Sequence, residues 1–357
     1  MKVLLLPNNV ASEISIKVRA LKSIGVDARG LADGGHPFQM SGDIKILSLK
    51  KGDFITNRLK KIQFYKLIYD WIKWADILHW VWDFGAIPFG LDRKIVERFD
   101  KPGVIQWCGS DIRIPEKTFE VNKFYQEAFL NGYEYQFESY EKSLATQRSF
   151  AQIGFYPLEI IGMDYYVDKN LFPKRYKTFQ SVILSEHPAA YPSLEKNKPL
   201  IVHSPSAPVA KGTKWILKAV EQLKLKYDFD FTLVHGMSRS EALEIMKECD
   251  IYIDQLIGGS HGLASIEAMA FGKPVVCYIN PAVGENYPPD LPIVNANPDN
   301  IAEKLEILIK DAALRHELGK KSRNYVEKYH DEKKVAEQLV ETYREVIRLH
   351  KEKREKV

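Results

Sequence analysis

The stretch Ser260-His-Gly-Leu-Ala-Ser-Ile-Glu267-Ala-Met-Ala-Phe-Gly272-Lys273-Pro274-Val-Val276 decides the fold of this chain, because it joins a glycine-led helix start, an acidic residue and a strand. Just upstream, Asp250-Ile-Tyr-Ile-Asp254 is a β-branched and aromatic run of strand type, and Gly258-Gly259 is a flexible turn. Residues 263–270 are good helix formers closed near Gly272, and Pro274-Val-Val-Cys277 starts the next strand. Strand, turn, helix and strand in that order build an open parallel sheet. In such sheets ligands sit beyond the carboxyl ends of the strands, where helix amino termini offer unpaired N–H groups to phosphates. Glu267 falls one to two turns into the helix, placed to accept hydrogen bonds from a ribose diol. The expectation is a sugar-nucleotide site.

Working outward, the same alternation recurs on both sides. Residues 2–6 read as a strand, 11–24 as a helix closed by Gly25, and 26–31 as a second strand. A strand at 44–49, a basic helix at 57–74, a strand at 77–81, a helix at 88–99 and a strand at 104–107 follow. From 164 to 198 the periodicity weakens and Pro173, Pro188, Pro192 and Pro199 accumulate, which reads as a crossing between domains. A second unit starts with a strand at 200–203, a helix at 213–223 and a strand at 231–234. Ser238 and Glu241 are spaced as a capping box. Charged helices at 301–310, 312–329 and 332–350 close the chain. The fold class is α/β, with parallel sheets covered by helices.

Composition agrees. The 357 residues exceed what one core usually supports, and 45% hydrophobic with 27% charged residues is the balance of a soluble globular enzyme. Three cysteines, Cys108, Cys249 and Cys277, are widely spaced without a Cys-x-x-Cys pair, which argues for reduced thiols, a cytoplasmic protein and no structural zinc. The apolar run of residues 1–6 stops at Pro7, too short for a signal peptide. No paired-His metal motif occurs. The loop Pro7-Asn8-Asn9-Val10 lacks the glycines of a dinucleotide fingerprint, which argues against a dehydrogenase.

Glu267-Ala-Met-Ala-Phe-Gly-Lys-Pro-Val-Val276 resembles the Glu-Ala-Met-Ala-x-Gly-Lys-Pro-Val-Val signature of group 1 retaining glycosyltransferases, the glycogen-synthase and mannosyltransferase-like family of GT-B fold. The resemblance is strong over residues 199–280 and loose before residue 75. It implies two Rossmann-like domains with parallel sheets facing an interdomain cleft. Residues 1–180 would form the acceptor-side domain, 181–335 the nucleotide-sugar domain, and 336–357 a helix returning to the first. It implies a UDP- or GDP-linked sugar as donor, a glycan, glycolipid or small-molecule hydroxyl as acceptor, retention of configuration, and neither metal nor other cofactor.

The resemblance also assigns residues. Glu267 would bind the ribose and Lys211, in the Lys211-Gly212 loop, the diphosphate. The family usually places an arginine shortly before that lysine, whereas this loop holds Ser204, Ser206 and Ala207. His235-Gly236 would let the backbone approach the base. Ser260, His261, Gly262 and Leu263 open the helix towards the β-phosphate. Eight positions before Glu267 the family has a second glutamate touching the donor sugar, and here that position is Gly259. Trp107-Cys108-Gly109-Ser110-Asp111-Ile-Arg113 resembles the family's His-Gly-Ser-Asp loop with Cys108 in the place of the histidine. The implied catalytic set is Lys211, Glu267, Cys108 and Asp111. Asn8, Asn9, Asp83 and Arg113 are the acceptor candidates, and the tryptophans of His79-Trp-Val-Trp-Asp83 suit stacking on sugar faces.

Charge is uneven. Residues 1–75 hold thirteen Lys and Arg against six Asp and Glu, although the whole chain is only +4. Over 57–74, Leu59, Ile62, Ile68, Trp71 and Ile72 are available to one helical face, with Arg58, Lys60, Lys61, Lys66 and Lys73 interleaved. A basic amphipathic helix of this kind suits an anionic membrane surface, so peripheral association with the inner face of the cell membrane is one expectation and a sheet-covering helix the other. No nucleic-acid-binding module occurs, so nucleic acid is not an expected partner. Two rivals fit the same residues. One is a nucleotide-binding protein of this fold that has lost catalysis, for which Gly259 and Cys108 argue. The other is a nucleotide-sugar epimerase, which needs a carboxylate base the cleft does not obviously supply.

Overall fold

The computed structural model describes residues 1–35, 40 and 42–355. In chain order the elements begin with β1 (Lys2–Pro7), α1 (Glu13–Ser23), β2 (Asp27–Ala32), β3 (Lys45–Ile46), α2 (Phe54–Trp74), β4 (Ile77–Val81), α3 (Leu91–Phe99) and β5 (Gly103–Gln106). Next come α4 (Pro115–Phe119), α5 (Lys123–Leu130), α6 (Tyr140–Gln152), β6 (Tyr156–Ile160) and β7 (Tyr176–Thr178). The chain continues with β8 (Leu200–His203), α7 (Pro208–Lys211), α8 (Thr213–Lys224), β9 (Asp230–Leu233), α9 (Arg239–Glu248), β10 (Ile251–Ile253), α10 (Leu263–Ala270) and β11 (Val275–Cys277). It ends with β12 (Val294–Asn295), α11 (Ile301–Lys310), α12 (Ala312–Tyr329) and α13 (Glu332–Arg354).

These elements form two compact units. The first comprises Met1–Arg113, Tyr140–Ser181 and Glu332–Val357, the second Ile114–Ser139 and Val182–Asp331. The first holds a parallel seven-stranded sheet in the order β3-β2-β1-β4-β5-β6-β7. Central β1 is covered on both faces, which is why Val3 to Leu6 form an unbroken apolar run with no exposure. On one face Ile14, Val18 and Leu21 of α1 meet Val335, Leu339, Tyr343 and Val346 of α13, whose spacing of three and four gives one apolar stripe.

The second unit holds a parallel five-stranded sheet in the order β12-β11-β10-β8-β9. Strand residues alternate between two cores because successive side chains point to opposite faces. Val202, Tyr252, Val275 and Cys277 pack on the side of α10 and α12, while Ile201, Ile251, Ile253 and Val276 pack on the side of α8 and α11.

Three features differ from the sequence expectation. Residues 114–139 belong to the second unit, because Phe124, Tyr125, Ala128 and Tyr133 pack on Ala207, Ala210 and Ile257. The strand expected at 44–49 is limited to Lys45–Ile46. In α2 the buried residues are Phe64, Ile68 and Ile72, at a spacing of four. At 100° per residue Ile55, Leu59 and Ile62 fall on the opposite side. They are 79%, 57% and 55% exposed, so Leu59 and Ile62 are not on the inner face.

Candidate functional site

In the second unit the chain direction across the sheet reverses between β8 and β10, the first and third strands of the unit. Such a switch point opens a crevice where the loops after those strands diverge. Lys211 comes from the loop after β8 and Asp254 from the end of β10. They pair there, Lys211 Nζ to Asp254 Oδ1 at 2.5 Å, with the carboxylate buried. The other oxygen, Oδ2, accepts from Ser265 Oγ at 2.7 Å and from the Gly262 N–H at 3.2 Å. Burial works against both charges, yet their mutual attraction prevails, holding the Lys211 ammonium above its usual range and the Asp254 carboxyl below its own. Gly212 makes the turn possible. Its φ is +78°, and a Cβ there would lie 3.1 Å from Ile257 Cγ1.

Gly262 is the N-cap of α10, and a Cβ built on it would lie 3.9 Å from Lys211 Nζ. Glu267 follows five residues later, about 7.5 Å along the helix. Its carboxylate is buried and paired with Arg239, the first residue of α9. The Ser238 capping box fixes that helix start as its spacing predicts. Behind Glu267 stands buried His187, whose Nδ1 lies 2.9 Å from the Ile183 carbonyl and whose Nε2 faces Glu267 Oε1 at 4.0 Å. Two opposite-charge pairs therefore flank the first turn and a half of α10.

The remaining candidates of this unit occupy distinct environments. His235 is exposed, and Gly236, at φ +70°, has open space where a Cβ would project, so this is a turn at the surface. Gly259 has φ +80°, and a Cβ on it would come within 2.8 Å of Asn280 Cβ. Larger residues at 259 meet both that backbone conformation and the Asn280 side chain. Ser260 is buried, its carbonyl accepting from Gln255 Nε2. His261 is buried and stacked on Tyr287 at 4.7 Å, with no hydrogen bond to either ring nitrogen. Burial lowers its pKa to about 4, so the ring is neutral at pH 7. Leu263 opens α10 and packs against the core.

In the first unit the expected residues are mostly braces. Asp111 is buried and accepts the N–H groups of Cys108 at 3.0 Å and Gly109 at 2.7 Å, which shapes the 107–113 loop. Burial raises its pKa to about 6 against the pull of those donors and of Arg113. A Cβ on Gly109 would lie 3.7 Å from Arg113 Nη2, so the half-buried guanidinium lies over the loop. The Cys108 thiol is pushed well above its usual pKa by burial and by the nearby Asp111 and Glu13 carboxylates. It is a thiol, not a thiolate. Asp83 Oδ1 accepts its neighbour's N–H at 2.7 Å, and Asn8 is half-buried.

Two expectations fail here. The Asn9 carboxamide is buried and committed to Ser15 and the Met40 carbonyl at 2.7–3.0 Å, so it is not available to an acceptor. Trp80 is core, with no exposure, and so is not a sugar-stacking surface.

Sequence reasoning missed Arg239 and His187, and it missed a buried chain behind Cys108. Tyr343 Oη meets His79 Nδ1 at 2.6 Å, His79 Nε2 meets Gln106 Oε1 at 3.1 Å, and Gln106 Nε2 donates to Glu13 Oε2 at 2.8 Å. Glu13 in turn pairs with buried Lys17. The available signal was a polar residue inside each of two apolar strands, β4 and β5, since buried polar groups require partners.

Residues 211–325 match the model of the family described as glycosyl transferases group 1, a span that opens on Lys211 and contains Glu267. That span is the domain of an enzyme. Among curated proteins none matches the chain in sequence. Solved structures do match in fold. Sucrose-phosphate synthase from Thermosynechococcus elongatus shares 12% identity over 98% of this chain and 100% of its own, with a TM-score of 0.65. An alpha-glucosyltransferase in complex with UDP shares 9% over 96% and 99%, TM-score 0.61. HepE of Anabaena in complex with UDP shares 13% over 96% and 99%, TM-score 0.55. The two parallel-sheet units form a GT-B fold.

Proposed function

We propose that this chain is a retaining, metal-independent glycosyltransferase that moves a sugar from a UDP- or GDP-linked donor to a hydroxyl acceptor. The observation that carries the reading is the pair of matched charges at the switch point, Lys211 with Asp254 and Glu267 with Arg239, on either side of the start of α10. A nucleoside diphosphate laid along α10 meets a carboxylate at its ribose and an ammonium at its phosphates. Lys211 offsets the charge that develops on the leaving diphosphate, the main electrostatic task of the reaction. Asp254 keeps two other donors when the ammonium turns to phosphate, so the swing leaves no buried carboxylate bare. The N–H groups at the start of α10 and the Ser260 and His261 segment add dipoles towards the β-phosphate. Two of the structures of similar fold hold UDP, which favours uridine among the bases.

Retention by front-face attack lets the leaving phosphate take the acceptor's proton, so no side-chain base is required. That suits a first unit in which Asp111 is spent on its loop and Cys108 is a protonated, weak donor. Asn8, Asp83 and Arg113 are the acceptor candidates that remain. A glycolipid or other lipid-linked acceptor suits α2, where Phe54, Ile55, Leu59 and Ile62 are exposed among Arg58, Lys61 and Lys66. Apolar side chains that enter a bilayer interface beside cations that meet anionic headgroups describe a peripheral contact.

Incubation with pooled UDP- and GDP-sugars and lipid or glycan acceptors, with a chelator present, tests the reading. The product should carry the donor's anomeric configuration by NMR coupling. An inverted product, a requirement for added metal, or conversion of the donor sugar without an acceptor, as in an epimerase, rejects it. Nucleotide binding without turnover would favour the rival of a non-catalytic nucleotide-binding protein, for which the crowding of Gly259 by Asn280 is the supporting observation.

A further inference from the structure

Residues 114–139 tie into the second unit at its switch-point edge. Asn122 Nδ2 donates to the Ile257 carbonyl at 2.7 Å, in the loop after β10, and Asn280 Nδ2, after β11, donates to the Val121 carbonyl at 2.8 Å. The third tie reaches the loop after β8. There the Glu134 carboxylate accepts the N–H of Val209 at 2.8 Å through one oxygen and the N–H of Ala210 at 2.8 Å through the other. Val209 and Ala210 immediately precede Lys211 in the four-residue α7, and N–H groups in a first helical turn have no partner within the helix. Glu134 is exposed, so its bond is not a consequence of burial. It is a bidentate, charge-assisted clamp on the turn that aims Lys211.

We propose that Glu134 is a positioning residue for the donor diphosphate, acting through Lys211. The proposal rests on the reading that Lys211 binds that diphosphate. With the clamp in place, the α7 turn is held at both ends, by Glu134 at its start and by the Leu256 N–H donating to the Lys211 carbonyl at 3.0 Å at its close. Without it, the two N–H groups turn to water and the Lys211 backbone gains freedom that phosphate binding must remove. The clamp contributes to diphosphate affinity and not to the sugar or the acceptor.

The test is calorimetric titration of UDP into the full chain and its Glu134→Ala, Glu134→Gln, Lys211→Met and Glu134→Ala/Lys211→Met variants, with circular dichroism melting as the check on folding. Lys211→Met should weaken UDP by about tenfold or more, and Glu134→Ala by roughly five- to tenfold, less than a charged hydrogen bond to the ligand itself because only the positioning of Lys211 is lost. In the Lys211→Met background the further loss from Glu134→Ala should be within about twofold of none, since a residue that acts only through Lys211 has nothing left to position. Glu134→Gln, which keeps one acceptor oxygen, should recover part of the loss. An equal effect of Glu134→Ala in both backgrounds would show a merely structural role. Tighter UDP binding by Glu134→Gln would make Glu134 an electrostatic brake, and either result overturns the proposal. If Lys211→Met itself leaves UDP binding unchanged, the donor reading fails, a result distinct from those on Glu134.

Discussion

Lys211 and Asp254 meet at 2.5 Å where the loops after β8 and β10 diverge, and each keeps the other charged. Removing one member of a buried pair leaves an uncompensated charge, at a cost of about 3–5 kcal/mol. Asp254→Ala strands the Lys211 ammonium and also frees Ser265 Oγ and the Gly262 N–H, so it should lie in that range by urea denaturation. Lys211→Met leaves the carboxylate its two other donors and should cost less. The double variant should be less destabilised than the sum of the singles. Equal stability of Asp254→Ala and the parent would mean the pair does not hold the site.

Glu267 should be read out by the ribose. Charge-assisted hydrogen bonds contribute about 1.5–3 kcal/mol each, so Glu267→Ala should weaken UDP by roughly ten- to a hundredfold. The parent should also discriminate against 2′-deoxyuridine diphosphate, and that discrimination should vanish in Glu267→Ala. Discrimination that survives the substitution places the ribose elsewhere.

Gly259 is a site of steric limit. At φ +80° any other residue carries backbone strain of about 1–3 kcal/mol, and the Cβ would also press on Asn280 Cβ at 2.8 Å. Gly259→Ala should lower the melting temperature, and Gly259→Glu, which restores the family's residue type, should lower it at least as far. A gain in stability with Gly259→Glu would show that the loop adapts freely.

Where packing follows periodicity, the sequence was informative. The helices 301–310 and 312–329, the strand 200–203 and the Ser238 box lie where their patterns put them. The order of the Glu267 segment carried the α/β reading. What it could not carry was partnership. Arg239 sits 28 positions before Glu267 and nothing local marks it as that carboxylate's partner, just as nothing marks Tyr343 as the partner of His79. The segment 114–139 was opaque for a related reason. Its helices α4 and α5 are short, so although Phe124, Tyr125 and Ala128 share one face of α5, the run is too brief to name what that face packs on, which is a cluster built from loops of the second unit. The inner face of α2 was misassigned because exposed Leu59 and Ile62 look apolar to any count of periodicity.

Those exposed residues carry their own prediction. Ile55, Leu59 and Ile62 form an apolar stripe with Lys66 in line and Arg58 beside it, and each cation near an anionic surface contributes about 1 kcal/mol. The protein should sediment with vesicles containing phosphatidylserine and not with neutral ones, and salt should reduce the fraction bound. Leu59→Glu/Ile62→Glu should abolish sedimentation with little change in melting temperature, because both side chains are already solvated. Equal sedimentation with neutral vesicles, or no response to the double variant, removes α2 from the contact.

Acid should destabilise the fold through its buried imidazoles. Burial lowers the pKa of His203 and His261 to about 4 and that of His79 to about 3, whereas each titrates near 6.5 once unfolded. A depressed folded value contributes stability that is complete above pH 6.5 and lost as pH falls towards 4, since only the unfolded chain takes up these protons. Asp111 and Glu159, raised to about 6 mainly by burial, act with the opposite sign and return part of the loss as they protonate first in the folded state. Three imidazoles outweigh two carboxyls. Near pH 5 the unfolded chain should hold about one proton more than the folded one, so unfolding free energy should fall by about 1.4 kcal/mol per pH unit. Denaturant midpoints at pH 7, 6, 5 and 4.5 measure the slope. A flat or rising profile across that window would mean the imidazoles are hydrated in the folded state. His203→Gln should flatten the profile by its share, because it removes one of the three groups whose burial makes the fold resist protonation.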